Sequence, residues 1–147
     1  MREGKQVRAM ILEKAFGIIP LKQTKNGWQV FLVKKKEGHT GFPKGHALQN
    51  EDPKKTAERE LFEETGLKVT QYLSNQTLIE IYTLEREGRK FLKTVAYYLA
   101  EVEGEIILEE AEIIEGRWVN LKEAVEHITF AEGRVLASKI EFLLPKA

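Results

Sequence analysis

A glycine-rich loop runs directly into an acidic segment within residues 38–67, and this stretch constrains the fold more than any other part of the chain. Asp52 is a good N-cap residue, and Pro53 fits the first helical position, where a backbone N–H is not needed. The run that ends at Thr65 is rich in helix formers, and Gly66 can adopt the left-handed conformation that ends a helix. The sequence therefore predicts a helix that starts at Pro53 and runs to Thr65.

Three glutamates lie along one edge of this predicted helix. At about 100° per residue, Glu60, Glu63 and Glu64 fall together beside an apolar stripe formed by Ala57 and Leu61. Like charges at this spacing oppose helix formation by roughly 0.2–0.5 kcal/mol per pair. The helix therefore needs a source of positive charge at this edge.

Arg59 can supply part of that charge through Glu63, four residues further on, and a divalent cation can supply the rest. A cluster of carboxylate oxygens suits Mg²⁺ or Mn²⁺ better than zinc. Magnesium usually shares its protein ligands with substrate phosphates. A diphosphate or polyphosphate ester is therefore the substrate that this helix predicts.

The preceding loop supports the same interpretation. Gly38, Gly41 and Gly45 surround Phe42-Pro43-Lys44, so the backbone can turn tightly and approach a ligand, while Lys44 and His46 can contact phosphate oxygens. Taken separately, the helix could be a solvated acidic face and the loop an ordinary turn. The ordered combination of loop and acidic helix favours a metal and phosphate site.

The spacing of these residues resembles that of the Nudix hydrolase family. Gly45 is followed after five residues by Glu51, and after seven more by Arg59-Glu60-Leu61-Phe62-Glu63-Glu64-Thr65-Gly66-Leu67. All nine fixed or class-restricted positions of the family signature are occupied. The resemblance implies an α/β/α sandwich and metal-dependent hydrolysis of a diphosphate linkage. It also implies that Glu60, Glu63, Glu64 and the Lys44 carbonyl hold the metal, and that Arg59 orients the carboxylates.

Composition limits the other possibilities. The chain has 147 residues and reads as one domain over 1–147, while Lys plus Arg and Asp plus Glu both number 23. Zero net charge argues against binding to nucleic acid or to an anionic membrane through a global field. The absence of cysteine excludes thiolate catalysis and zinc–thiolate sites. No signal or membrane segment is found at the start, so a cytoplasmic location is expected.

The remaining segments predict a mixed α/β fold. Asn26-Gly27 predicts a hairpin turn between two antiparallel strands, Gly17 indicates close approach of another backbone, and residues 85–90 predict an exposed hairpin loop. Strands are predicted for residues 7–21, 28–33, 68–84, 91–102 and 117–119, and helices for residues 121–128 and 131–144. Helices before and after the strands predict a mixed sheet that is covered on both faces.

Three features outside the signature resemble asymmetric diadenosine tetraphosphate hydrolases within this family. They are the sequences Phe42-Pro43-Lys44-Gly45-His46 and Lys93-Thr94-Val95-Ala96-Tyr97-Tyr98-Leu99, and Glu112 shortly before Arg117-Trp118. The resemblance implies that Lys93 contacts phosphate and that Glu112 lies near the metals. It also implies aromatic stacking on adenine, for which Tyr82 and Phe130 are candidates.

Each of these residues also has a purely structural interpretation. Lys93 and the run of residues 34–36 could be solvated strand residues, and His46 could satisfy loop backbone groups. Glu109, Glu110 or Glu115 could take the place of Glu112, and the two aromatic residues could simply pack in the core.

The resulting hypothesis is magnesium-dependent attack of water on phosphorus, which splits diadenosine tetraphosphate into ATP and AMP. Alternative Nudix substrates are RNA 5′ triphosphate ends, diphosphoinositol polyphosphates and oxidised nucleoside triphosphates. A non-catalytic nucleotide-sensing module on the same fold is the alternative from another class. Such a module should lose at least one signature glutamate, and this chain keeps all of them.

Overall fold

The computed structural model describes residues 9–146 and contains a seven-stranded sheet with helices on both faces. The order of the main strands is β3-β2-β1-β6-β5, while β4 pairs with β1 and β7 pairs with β2. The strands are β1 (Ile11–Thr24), β2 (Gly27–Lys35), β3 (Thr40–Gly41), β4 (Lys44–His46), β5 (Lys68–Arg86), β6 (Arg89–Glu103) and β7 (Ile113–Asn120). The helices are α1 (Pro53–Thr65), α2 (Ala124–His127), α3 (Ala131–Ala137) and α4 (Ile140–Leu143), with a 3-10 turn over Leu121–Glu123 before α2.

Strand β1 organises the sheet because it has partners on both sides. It pairs in parallel with β6 from Ile11↔Phe91 to Leu21↔Glu101. On its other side, the end of β1 pairs antiparallel with β2, while its middle pairs antiparallel with β4. The glycine-rich loop is thereby held against the middle of the sheet.

Two apolar clusters cover the two faces of the sheet. On one face, Ala57 and Leu61 of α1 are fully buried against a cluster that includes Ile18, Phe31 and Leu67. Truncation of a buried leucine such as Leu61 typically costs about 2–5 kcal/mol. On the other face, the segments after β7 contribute to a second cluster together with the central strands. The predicted α/β/α sandwich with a mixed sheet is confirmed.

Helix α1 begins and ends as the sequence predicts. The Asp52 side chain accepts a hydrogen bond from the Lys54 N–H at 3.1 Å, and Pro53 occupies the first helical turn. Gly66 ends the helix with φ of 82°, and its N–H donates to the Phe62 carbonyl. A side chain at Gly66 would also bring Cβ within 2.4 Å of the Glu105 carbonyl oxygen. Both ends of the acidic helix are therefore fixed by local contacts.

The two predicted hairpins form, but their turns differ from the prediction. Thr24 pairs with Gly27, because the Thr24 side chain accepts from the Asn26 N–H and donates to the Gly27 carbonyl. The turn residues are therefore 25 and 26 rather than Asn26-Gly27. In the β5–β6 hairpin, Glu87 and Gly88 have φ of 54° and 77°, as a tight two-residue turn requires. The predicted loop over residues 85–90 is therefore too long.

Other boundaries also differ from the prediction. The start of the predicted strand at residues 7–8 lies outside the described residues, and β1 continues to Thr24. The last strand is β7 (Ile113–Asn120), longer than predicted because it pairs along most of β2.

The predicted helix over residues 131–144 is divided into α3 and α4. The Ser138 hydroxyl donates to the Val135 carbonyl at 2.6 Å, a local bond that competes with the helical pattern. None of the helices formed by residues 9–146 is long and apolar enough to cross a membrane.

Candidate active site

Glu64 is a buried carboxylate at the C-terminal end of α1. It is only 2% exposed, and its Oε2 lies 3.6 Å from the Lys35 Nζ. Its Oε1 is buried and has no hydrogen-bond partner among residues 9–146. Burial raises the pKa of Glu64 to about 8, against the opposing effect of Lys35. A buried carboxylate oxygen without a partner is costly, so this site suits an added cation.

Glu60 lies one turn earlier and fits against Gly45. A Cβ atom at Gly45 would lie 2.1 Å from the Glu60 carboxyl carbon, so only glycine allows this approach. Burial, followed by Glu63, raises the pKa of Glu60, while Arg59 opposes this effect. The charge of Glu60 also raises the pKa of Glu64. The two carboxylates therefore lie close enough to compete for one source of positive charge.

Arg59 connects the helix to the loop that precedes it. Its guanidinium donates to both oxygens of Glu51, at 2.8 and 3.0 Å, and to the His46 carbonyl at 3.0 Å. It also donates to Glu60 at 3.2 Å and to Glu63 at 3.2 Å. The predicted pair of Arg59 with Glu63 is confirmed, and Arg59 also pairs with Glu51. Arg59 thus holds the loop and the carboxylates in one network.

The donor chemistry of these residues fits a divalent cation. Glu60 and Glu64 supply carboxylate oxygens, one of which lacks a hydrogen-bond partner among the described residues, and Gly45 lets the Glu60 carboxylate lie against the loop backbone. Within residues 9–146, no three carboxylate or imidazole side chains are arranged to hold a metal together. Glu63 is turned towards Arg59 and is about half exposed. The full ligand set of Glu60, Glu63, Glu64 and the Lys44 carbonyl therefore stays a prediction.

Three lysines border the same pocket, which has a volume of about 650 Å³. Lys93 is only 8% exposed, so the interpretation of Lys93 as a solvent-facing strand residue is wrong. Lys35 pairs with Glu64, so the interpretation of residues 34–36 as a solvated strand end is wrong for Lys35. Burial, followed by Lys93 and Lys35, lowers the pKa of Lys44 to about 8. This mutual repulsion favours an anionic ligand between the lysines.

Lys44 and Lys93 come close together because Gly17 allows β1 to pack against the glycine-rich loop. A Cβ atom at Gly17 would lie 2.3 Å from the Pro43 carbonyl oxygen and 2.9 Å from the Lys44 Cβ. The Ile18 N–H donates to the same Pro43 carbonyl at 3.3 Å. The predicted close approach of another backbone to Gly17 is confirmed, and it positions Lys44 beside the strand that carries Lys93.

Both aromatic candidates line the pocket on the side opposite α1. Tyr82 projects from β5, and Phe130 lies just before α3, where its ring centroid is 5.2 Å from that of His39. Phe130 is more than half exposed, so the pure core-packing alternative does not describe it. The two residues therefore border a space open to a ligand.

His46 contacts a residue that the sequence did not single out. Its Nε2 lies 3.6 Å from the Glu13 Oε1, and the Glu13 Oε2 accepts from Arg86 at 2.6 Å. The Glu13 Oε1 is buried without a hydrogen bond from the described residues. Burial and Lys93 lower the pKa of His46, whereas Glu13 opposes them. Glu13 and Arg86 were missed because only strand pairing brings them to the loop.

Glu112 lies further from the carboxylate pair than one of its neighbours. Its side chain is exposed at the start of β7, while the Glu109 N–H donates to the Glu64 carbonyl at 3.1 Å. The charge of Glu109 raises the pKa of Glu64. The position of Glu112 near the metal stays a prediction. Glu109, in the same loop, contacts α1 directly.

The fold and the packing of Glu60 against Gly45 are those of a known protein family. The NUDIX domain profile matches residues 12–138, and the chain belongs to the Nudix family. It is 35% identical over 106 residues to Mycobacterium tuberculosis MutT4, covering 71% of this chain and 42% of that protein. It is 39% identical over 99 residues to the asymmetrical bis(5′-nucleosyl)-tetraphosphatase of Mus musculus, covering 64% of each chain. The alignments thus span less than two thirds of either relative.

A solved structure supports the same fold. The Ap4A hydrolase of C. elegans, in a binary complex, superposes with a TM-score of 0.70 at 24% identity, covering 88% of this chain and 96% of that one. At this level of identity the similarity concerns the fold alone. The resemblance of the sequence to the Nudix family is confirmed.

Proposed function

We propose that this protein hydrolyses diadenosine tetraphosphate to ATP and AMP. The observation that carries this proposal is the Glu60–Glu64 carboxylate pair, in which Glu64 contacts Lys35 at 3.6 Å, next to a pocket bordered by Lys35, Lys44 and Lys93. A paired carboxylate site can hold a cation, and a cluster of lysines can hold several phosphates. The carboxylate pair and the lysine cluster together suit a substrate with several linked phosphates better than one with a single phosphate group.

The named activity of one relative supports this choice of substrate. The mouse protein bears the name asymmetrical bis(5′-nucleosyl)-tetraphosphatase, and the family profile that matches residues 12–138 includes the signature region. The sequences around Lys44 and Lys93 favour the same substrate. The pocket volume of about 650 Å³ is in the range of small-molecule sites.

Glu60, Glu64, Glu63 and the Lys44 carbonyl would hold Mg²⁺ or Mn²⁺. The bound ion would lower the pKa of its water and neutralise charge on the phosphate oxygens. In the proposed reaction the water oxygen forms a bond to phosphorus, the bond from phosphorus to the leaving oxygen breaks, and ATP and AMP are released. One glutamate, either in the signature or at Glu112, accepts the proton of the attacking water.

The other side chains position the substrate. Lys44, His46 and Lys93 hold phosphates that do not react, and Arg59 keeps the carboxylates oriented through its bonds to Glu51 and Glu63. Tyr82 and Phe130 stack on an adenine, a contact worth about 1–3 kcal/mol per base. The substrate is thereby held at both its charged and its aromatic parts.

Product analysis tests the proposal directly. The purified protein is incubated with Mg²⁺ and diadenosine tetraphosphate, and AMP, ADP and ATP are separated by chromatography. Equal amounts of ATP and AMP are expected. Two molecules of ADP would contradict the proposed position of cleavage. Activity only on triphosphorylated RNA, diphosphoinositol polyphosphates or nucleoside triphosphates would contradict the proposed substrate.

A further inference from the structure

Glu80 is a half-buried carboxylate in the pocket that the proposed reaction does not use. It lies on β5 two residues before Tyr82, so the two side chains project to the same face of the sheet. Its Oε1 accepts a hydrogen bond from the Tyr97 hydroxyl at 3.4 Å. Its Oε2 accepts no hydrogen bond from residues 9–146, and Glu80 forms no ion pair with them. This oxygen is therefore free to accept a bond from a ligand.

Helix α3 approaches the Oε2 of Glu80 at a glycine. A Cβ atom at Gly133 would lie 3.2 Å from the Glu80 Oε2 and 2.8 Å from the Ile128 Cγ2. Gly133 therefore lets the wall of α3 approach the carboxylate without covering it with a side chain. Gly133 and Ile128 also line the pocket together with Phe130.

The charge of Glu80 determines which part of a nucleotide can lie beside it. A carboxylate repels phosphate oxygens, so the phosphates belong with the lysines of the pocket rather than directly beside Glu80. A carboxylate attracts N–H groups and repels carbonyl oxygens. Tyr82 and Phe130, the candidate stacking residues, lie on the same side as Glu80. The edge of a stacked base is the group that fits this position.

We propose that Glu80 selects the nucleobase by accepting a hydrogen bond from its exocyclic amino group. Adenine offers an amino group at its C6 position, whereas hypoxanthine presents a carbonyl oxygen there, which a carboxylate disfavours. The inference rests on the proposed function because it requires a nucleotide in this pocket. It adds to that function a determinant of base specificity.

The ionisation of Glu80 gives this selection a pH dependence. Burial raises the pKa of Glu80, Glu132 raises it further, and Lys44, Lys93 and the Tyr97 hydrogen bond oppose the rise. A protonated carboxyl group can donate to the carbonyl of hypoxanthine. The preference for adenine is therefore expected to shrink as the pH falls and Glu80 takes up a proton.

Binding of AMP and IMP, measured by calorimetry in EDTA at pH 8, tests the inference without requiring catalysis. The wild-type protein should bind AMP at least tenfold more tightly than IMP. Glu80→Gln should reduce this ratio to within about threefold, because the amide can donate to the carbonyl of hypoxanthine. Glu37→Gln removes the same charge from the exposed rim of the pocket and should leave the ratio unchanged.

Several outcomes would overturn the inference. They are equal affinity of the wild-type protein for the two nucleotides, failure of both to bind at millimolar concentration, and an undiminished preference in Glu80→Gln. If Glu80→Gln does not fold, Tyr97→Phe takes its place and should reduce the preference, because it removes the hydroxyl that holds Glu80. An undiminished preference in that variant would also overturn the inference. A preference for AMP that depends on Glu80, without hydrolysis of diadenosine tetraphosphate, would reject the proposed function alone.

Discussion

Single atoms decide the geometry of the candidate site. The missing Cβ of Gly45 admits the Glu60 carboxylate, and the missing Cβ of Gly17 admits the Pro43 carbonyl. Glu64 is buried beyond Glu60 with an oxygen that accepts no hydrogen bond from the described residues. At Gly45 and Glu64 a change of one or two atoms should alter activity more than stability.

Gly45→Ala should greatly reduce turnover because its Cβ would overlap the Glu60 carboxylate. We expect a loss of about 10²-fold or more in kcat/KM, since a misplaced catalytic group typically costs that much. Gly41→Ala is the matched control, because a Cβ at Gly41 meets no atom within 4 Å. Equal activity of the two variants in a Mg²⁺-dependent assay would contradict the role of Gly45.

Glu64→Gln should abolish hydrolysis while keeping the protein folded. The amide is a poor metal ligand, but it removes a charge whose ionisation is opposed by burial. The midpoint of thermal unfolding in EDTA at pH 8 should therefore be at least as high as in the wild type. Glu58→Gln, on the exposed side of the same helix, should keep its activity. Normal turnover by Glu64→Gln would reject the metal assignment.

The sequence predicts the signature glutamates because helical spacing alone brings them together. It does not predict Glu13 or Glu80, because these residues reach the site only through strand pairing over long sequence distances. The same limit explains the burial of Lys93, which depends on its neighbours across the sheet. Local patterns thus identify the carboxylates of the candidate site better than the residues that line its pocket.

At the scale of secondary-structure elements, α1 is held to the preceding glycine-rich loop by hydrogen bonds of the Glu51 side chain as well as by its capping contacts. Glu51 accepts from Arg59, from the Leu48 N–H at 2.9 Å and from the Thr56 hydroxyl at 2.8 Å. These bonds fix the position at which the helix starts relative to β4. The acidic edge of the helix is thereby aligned with the glycine loop.

This network predicts an acid-sensitive stability. The hydrogen bonds from Arg59 and Leu48 lower the pKa of Glu51 to about 2, from an ordinary value near 4.5. A depressed carboxyl pKa stabilises the fold above the unfolded value, and this stabilisation is lost as the pH falls from about 4.5 to about 2. The melting temperature of the wild type should fall over this range more steeply than that of Glu51→Gln. Parallel pH profiles would contradict the assignment.

The ends of the helices and strands show where local sequence does not suffice to predict the structure. The caps of α1 were predictable because Asp52, Pro53 and Gly66 act within a few residues of themselves. The predicted loop between β5 and β6 was too long because the tight turn requires a positive φ at Glu87. A positive φ is uncommon for glutamate and could not be predicted from its residue type. The break at Ser138 was missed because a serine within a helical pattern usually causes none.

At the scale of the whole molecule, the pocket combines the glycine-rich loop with residues of β5, β6 and α3. Lys93→Ala should therefore weaken turnover of long polyphosphates more than that of short ones, because only the longer chain reaches beyond the metal. Loss of one charge-assisted hydrogen bond is worth about 1.5–3 kcal/mol, or roughly 10- to 100-fold in kcat/KM. Lys90→Ala, in the exposed hairpin, is the control. Equal losses on a dinucleoside tetraphosphate and a dinucleoside diphosphate would argue against the phosphate contact.

The parallel pairing of β1 with β6 has a consequence for the order of folding. Each pair in this ladder joins residues 80 positions apart, as in Ile11↔Phe91, so the ladder requires closure of a long loop. Helix α1 depends on contacts within a few residues of itself and can form earlier. During refolding, helical circular dichroism should therefore recover before AMP binding does, so that the chain acquires its acidic helix first and its substrate pocket last.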